Sequence, residues 1–213
     1  MIVVLPKLNA KSKELSKRSI EVGIFGGTFD PVHFGHINIA LELKERCQID
    51  EVLIIPTSCS PFRMGESLVA PEHRLQMVRL AFEKIPGFSV LEIEIKKNPP
   101  NYTIDTVRDI LSHETRNCAL MLADDTLQHL PQWKEYKNLL SLLPIVVGRR
   151  NTVEPFLPQD IKEKIEKTTF STSVMEISGT KIRERMRKKL YCGHLVPAKV
   201  LDYIYENQLY FDL

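Results

Sequence analysis

Little in this sequence invites a structural metal or a disulfide. Its four cysteines, Cys47, Cys59, Cys118 and Cys192, are scattered. There is no C-x-x-C pair and no Cys/His cluster at zinc spacing. Disulfide frameworks belong to small secreted folds, so these read as free thiols in a reducing cytoplasm. An excess of charge is missing too: 29 Lys and Arg against 27 Asp and Glu leave a net +2. A protein that coats nucleic acid shows a strongly basic face or domain, and this balance makes no electrostatic case for one. Long apolar runs are also lacking. The opening MIVVLP is far too short to span a bilayer. The basic KLNAKSKELSKRS that follows reverses the charge-then-apolar order of a signal peptide. Residues 1–19 read as a short N-terminal extension, and residues 20–213 as a single domain. No repeat, low-complexity tract or flexible linker interrupts it, and neither a membrane nor a nucleic acid is expected as a partner.

What is present is an ordinary globular composition, 43% apolar and 26% charged, in a chain long enough to bury a core without staples. Apolar runs alternate with helical spacings. IEVGIF (20–25) and EVLIIP (51–56) read as buried strands. So do CALMLA (118–123) and LPIVVG (143–148), while FSVLEIEI (88–95) and TSVMEIS (172–178) read as strands with a wetter face. Helices are expected after Pro31 to about Cys47, from Pro71 to about Ile85, from Thr103 to about Ser112, over 130–143, from about Gly179, and over 195–210. This alternation predicts an α/β, doubly wound, mostly parallel sheet with helices on both faces and C-terminal helices. Ligands in such sheets bind beyond the carboxyl ends of the strands.

The stretch GIFGGTFDPVHFGH (23–36) begins at such an end. Gly26 and Gly27 permit positive φ and close approach of a ligand to backbone. Alone they fit a plain tight turn better. They form neither a G-x-G-x-x-G fingerprint nor a P-loop. His33 and His36, three apart at a helix start, share one face, and Gly35 between them leaves room for a ligand. A metal would want a third and fourth ligand. His73, His113, His129 and His194 each stand alone, so a phosphate at the helix N-terminus fits the pair better. Far along the chain, ISGTKIR (177–183) ends a strand and opens a basic helix. Ser178 and Thr180 offer hydroxyls and Arg183 lies one turn in, which suits either an anion site or an N-capped surface helix.

Taken together these strings resemble a known family. His33, Gly35 and His36 match the H-x-G-H signature of the nucleotidyltransferase superfamily. GGTFDPVHFGH (26–36) is similar in more detail to the bacterial nicotinate-nucleotide adenylyltransferases. HRLQMVRLAF (73–82), NYTIDTVRDI (101–110), Trp133-Lys134, ISGTKIR and LVPAKVLDYIYENQLY (195–210) extend the resemblance over about residues 20–213.

The resemblance implies an AMP transfer from ATP to nicotinate mononucleotide in NAD biosynthesis. It implies that Gly26, Gly27, Thr28 and Phe29 hold the ATP phosphates with the two histidines, His36 serving the chemistry and His33 sharing the binding. Ser178, Thr180 and Arg183 are implied at the terminal phosphates and Asp125 at the ribose. Tyr102, Thr103 and Trp133, the only tryptophan, are implied at nicotinate mononucleotide. Mg²⁺ is implied as a companion of the phosphates, held by few protein ligands. The chain departs from the family at Ala123 (usually Gly), at Gly179 (usually Ser) and at Phe62-Arg63 (usually His-Lys). Rival readings are a sister adenylyltransferase acting on another phosphate such as phosphopantetheine, a non-catalytic nucleotide sensor, and a nucleic-acid binder built on KIRERMRKK (181–189). Oligomeric state is not legible.

Overall fold

The computed structural model describes residues 19–66, 68–149 and 156–211. The expected extension, save Ser19, lies outside them, as does part of the proline-bearing connection before residue 156.

Six strands form one sheet: β1 (Val22–Gly27), β2 (Glu51–Pro56), β3 (Phe88–Val90), β4 (Cys118–Ala123), β5 (Ile145–Arg149) and β6 (Thr169–Ser171). Their order is β3-β2-β1-β4-β5-β6, and every pairing is parallel. Parallel neighbours need crossovers, and helices supply them. They are α1 (Phe34–Cys47), α2 (Pro71–Phe82), α3 (Thr103–His113), the short α4 (Asp124–Leu127), α5 (Tyr136–Leu142), α6 (Gln159–Ile165), α7 (Gly179–Arg187) and α8 (Ala198–Glu206).

The two-residue period of the strands sorts their side chains onto two cores. Phe25, Val52, Ile54, Met121 and Val146 meet α1, α2, α7 and α8 on one face. Val22, Ile24, Leu53, Ile55, Leu120 and Ile145 meet α3, α5 and α6 on the other. The strands read as continuous apolar runs because both faces are covered.

Three expected elements differ, and a fourth is shortened. β3 stops at Val90 because its pairing with β2 ends there, and the rest of 88–95 turns away. The sixth strand is Thr169–Ser171, not 172–178; Val174 and Met175 are exposed on an irregular run into α7. The helix over 130–143 is broken into a 3₁₀ turn at Leu130–Gln132 and α5, with Glu135 at φ 52 between them. The last helix keeps only its middle, Ala198–Glu206.

From β1 the chain winds outward through β2 to β3, then returns to lay β4 on the other side of β1. The helices following β1 and β4 therefore part at these strands' carboxyl ends, opening the crevice where such sheets take ligands.

Candidate active site

Gly26 and Gly27 remain in the strand, opposite Ile55 and Pro56. The expected positive φ falls instead on Phe29, at 50°. The glycines act through space. A Cβ on Gly27 would sit 2.9 Å from the Phe29 ring, which is buried, while Gly26 has nothing closer than a carbonyl at 3.8 Å and is open to the crevice. Phe29 thus anchors the loop from below and leaves its backbone at the site.

His33 is the N-cap of α1, with extended backbone, and His36 is the third helical residue. The rings stack with centroids 3.7 Å apart and planes at 22°. The His33 amide donates to His36 Nδ1 at 3.2 Å. An Nδ1 that accepts has no proton of its own, so the His36 proton sits on Nε2, which is then a donor. The His36 and Phe29 rings meet edge to face, with centroids 5.0 Å apart. Gly35 borders the crevice as expected, and a Cβ there would lie 3.1 Å from the His33 ring and 3.6 Å from Ile177, so its bareness also seats His33.

The opposite wall is the start of α7. Ser178 is its N-cap, and its side chain makes no capping bond, so hydroxyl and amides are left toward the crevice. Arg183 Nη1 donates to the Asp30 carbonyl at 2.6 Å, and Nη2 donates to Thr180 Oγ1 at 3.3 Å. A Cβ on Gly179 would stand 3.0 Å from that same carbonyl. The serine usual in the family would crowd it; glycine lets α7 press against the β1–α1 loop. Asp30 turns inward beneath these two walls. It is buried, accepts from the Tyr210 hydroxyl at 2.8 Å and faces Arg183 at 3.5 Å.

Both histidines and all the residues expected around ATP line one cavity of about 260 Å³ between these walls. Asp125 borders it from α4, its carboxylate accepting from the Thr126 amide at 2.8 Å. Ala123 and Arg63 line it as well, Arg63 paired with Glu66 at 2.9 Å. Phe62 is half exposed, its ring 6.2 Å from that of His129. Among the described residues no three of His, Cys, Asp or Glu converge as metal ligands.

Tyr102, Thr103 and Trp133 do not line this cavity. They gather on the other face of the sheet, where Tyr102 caps α3, Thr103 opens it and Trp133 closes the 3₁₀ turn. Both aromatics are partly buried against the second core. Lys134 Nζ stands 4.6 Å over the Tyr102 ring and bonds Asp105 at 2.9 Å. The buried Asn101 carboxamide accepts from the Thr57 hydroxyl and from the amides of Ser58 and Cys59, at 3.1–3.3 Å. That ties the start of α3 to the end of β2.

Sequence reasoning missed Arg74. Its guanidinium is fully buried and donates to the carbonyls of Val69 (2.9 Å), Thr28 (2.7 Å), Thr57 (2.6 Å) and Ser58 (2.6 Å). Burial draws its pKa down, and the nearby Asp30 opposes this. It clamps the loops after β1 and β2 together. The signal in the sequence was an arginine four before Val78 and eight before Phe82, on the apolar stripe of α2.

A parallel sheet in this order, with stacked histidines at one helix start facing a second, basic helix start, defines an α/β nucleotidyltransferase. The family described as "Cytidylyltransferase-like" matches residues 24–185. The nicotinate-nucleotide adenylyltransferase of Bacillus subtilis (strain 168) is 34% identical over 197 residues, covering 89% of this chain and 98% of that one. A "Probable nicotinate-nucleotide adenylyltransferase" of Dehalococcoides mccartyi (strain CBDB1) is 37% identical over 203 residues, covering 90% and 98%. The solved structure of the Plasmodium falciparum nicotinic acid mononucleotide adenylyltransferase complexed with NaAD shares the fold, with a TM-score of 0.71 at 18% identity over 90% of this chain and 97% of that one. The chain belongs to the cytidylyltransferase-like family and, within it, to the nicotinate-nucleotide adenylyltransferases.

Proposed function

We infer that this protein transfers the AMP moiety of ATP to nicotinate mononucleotide, releasing pyrophosphate and forming nicotinate adenine dinucleotide for NAD biosynthesis. One observation carries the reading beyond family membership. The β1 end with its two histidines and the α7 start, 153 residues apart at the Asp30–Arg183 bond, face each other across one crevice at the switch point.

A 5′-phosphate oxygen of the mononucleotide attacks the α-phosphorus of ATP. The bond from that phosphorus to the α,β-bridging oxygen breaks, and its electron pair leaves with pyrophosphate. The nucleophile is already an anion, so no base is needed and catalysis is positioning plus charge stabilisation. The His36 Nε2–H donates to the α-phosphoryl oxygens as charge builds, with His33 beside it. The amides after Gly26 hold the phosphate chain. Ser178, Thr180, Arg183 and the α7 amides take the departing pyrophosphate, and Asp125 takes the ribose hydroxyls. Mg²⁺ arrives as MgATP, bound through phosphates and water. Asp30, the buried carboxylate at the crevice, is committed to Tyr210 and Arg183 and so fits poorly as a resident metal ligand.

Tyr102, Thr103 and Trp133 receive the acceptor, a flat anionic ring suited to an aromatic face and a helix-start amide. The activity belongs in the cytoplasm. The described cysteines are free thiols, and no helix among the described residues is long and apolar enough to cross a membrane. Neither nucleic acid nor membrane is a partner in this reading.

The test compares nicotinate mononucleotide, nicotinamide mononucleotide and phosphopantetheine as acceptors with MgATP, following dinucleotide and pyrophosphate together. Turnover with nicotinate mononucleotide at least about tenfold above nicotinamide mononucleotide is expected, about 1.4 kcal/mol. A preference for phosphopantetheine makes the chain a sister enzyme, and no pyrophosphate with any acceptor makes it a sensor.

A further inference from the structure

Tyr210 follows α8, far in sequence from either wall of the crevice, yet it is 1% exposed and its hydroxyl donates to Asp30 Oδ1 at 2.8 Å. Asp30 Oδ2 takes no hydrogen bond and sees Arg183 Nη1 at 3.5 Å. Arg183 itself is held by the Asp30 main chain, at 2.6 Å, and reaches Thr180 at 3.3 Å. Asp30 and Arg183 thus both border the cavity, and the carboxylate's orientation decides how strongly it holds the guanidinium. Burial and the adjacent Asp30 raise the Tyr210 phenol above its ordinary range, so it is a fixed donor.

We propose that Tyr210 is a positioning residue for ATP: by holding one oxygen of Asp30, its hydroxyl keeps that carboxylate from drawing Arg183, its ion-pair partner at 3.5 Å, any closer, and leaves the guanidinium available to the ATP phosphates. Without the hydroxyl, a buried carboxylate oxygen loses its donor. The nearest replacement is Arg183 Nη1, and a turn of the carboxylate toward it draws the guanidinium off the Asp30 carbonyl and away from Thr180. Tyr210 does not line the cavity; the effect runs through Asp30 to Arg183. The residues that bind one substrate are therefore set partly by the segment after the last helix.

The inference rests on the ATP side of the reading above. It is tested by titrating α,β-methylene-ATP, with Mg²⁺ and no acceptor, into the full-length protein and its Tyr210→Phe variant. KM values for ATP and nicotinate mononucleotide are measured alongside. Tyr210→Phe is expected to weaken the analogue by about fivefold or more, to raise the KM for ATP in step, and to leave the KM for nicotinate mononucleotide within about twofold. In an Arg183→Met background the same substitution is expected to change analogue binding by less than about twofold, because the proposed effect runs through Arg183. Unchanged binding in Tyr210→Phe, or an equal loss in both backgrounds, overturns the proposal. If Tyr210→Phe does not fold, Asp30→Asn is carried through the same two backgrounds: a loss confined to the Arg183 background supports the coupling, and no loss or an equal loss overturns it. Wild-type protein that binds the analogue but makes no dinucleotide refutes the proposed reaction and leaves this coupling to be judged on binding alone.

Discussion

The backbone amide of His33 donates to Nδ1 of His36 at 3.2 Å while their rings stack 3.7 Å apart. One bond therefore fixes the tautomer of the second histidine. It also sets the character of the pair. Two stacked imidazolium rings would repel, and a protonated Nδ1 would face an N–H donor. The arrangement favours an Nε2–H donor on His36, whose ring meets Phe29, while the missing side chain of Gly35 makes room for the His33 ring.

From this, His36→Ala is expected to lower kcat by about 100-fold or more, about 2.7 kcal/mol of transition-state stabilisation. Its melting temperature should stay within a few degrees of wild type, since the ring is half-buried at a helix start. Steady-state kinetics with both substrates check it. A loss of less than about threefold, about 0.7 kcal/mol, would remove His36 from the chemistry.

Arg74 carries a different expectation. Replacing it with Met leaves the carbonyls of Val69, Thr28, Thr57 and Ser58 without their donor inside the protein. Unmet buried acceptors cost about 1–3 kcal/mol each when they cannot reach water. Urea unfolding should show Arg74→Met destabilised by about 3 kcal/mol or more, with Arg74→Lys between it and wild type because an ammonium cannot span the same acceptors. A loss below about 1 kcal/mol would mean that the two loops hold together without the clamp.

The buried Glu94 gives stability a pH signature. Its carboxyl accepts from Thr106 at 2.6 Å, and burial raises its pKa above the ordinary 4.5 despite that bond. The folded chain then holds this proton more tightly than the unfolded one. The resulting stabilisation is complete below pH 4.5 and is lost as pH rises through the raised value. Glu94→Gln cannot titrate. Its stability relative to wild type, followed by thermal melting from about pH 4 to about pH 8, should grow as pH rises. A constant difference across that range would show that Glu94 titrates alike in both states.

How much of this was legible follows from which forces the sequence displays. β4 could be read to the residue because Cys118–Ala123 is apolar on both faces. The histidine pair and ISGTKIR were visible as spacing, and the crevice does bring them together. β6 was hidden, since Thr169–Ser171 is a short, partly polar edge strand and the more alternating TSVMEIS beside it drew the assignment. The helix break at Glu135 depends on a left-handed backbone that glutamate does not advertise. Asp30, Arg74 and Tyr210 were least legible. Buried polar groups look like surface ones until the elements that satisfy them are placed, and most of the partners here come from another part of the chain.

The proposed acceptor side can be tested apart from the proposed ATP side, because Tyr102 and Trp133 pack on the second core and do not line the cavity that holds His33, His36 and Arg183. If Trp133 supplies a face for the nicotinate ring, Trp133→Ala should raise the KM for nicotinate mononucleotide by about tenfold, about 1.4 kcal/mol, within the range of an aromatic contact. The KM for ATP should stay within about twofold. Lys134 makes a useful contrast. Its ammonium is already shared between Asp105 and the Tyr102 ring, so Lys134→Ala should move the acceptor KM by less than about threefold. A rise in both KM values for Trp133→Ala would instead assign the ring to packing of the second core, where it also sits, and would leave Tyr102 and the α3 start to account for the acceptor.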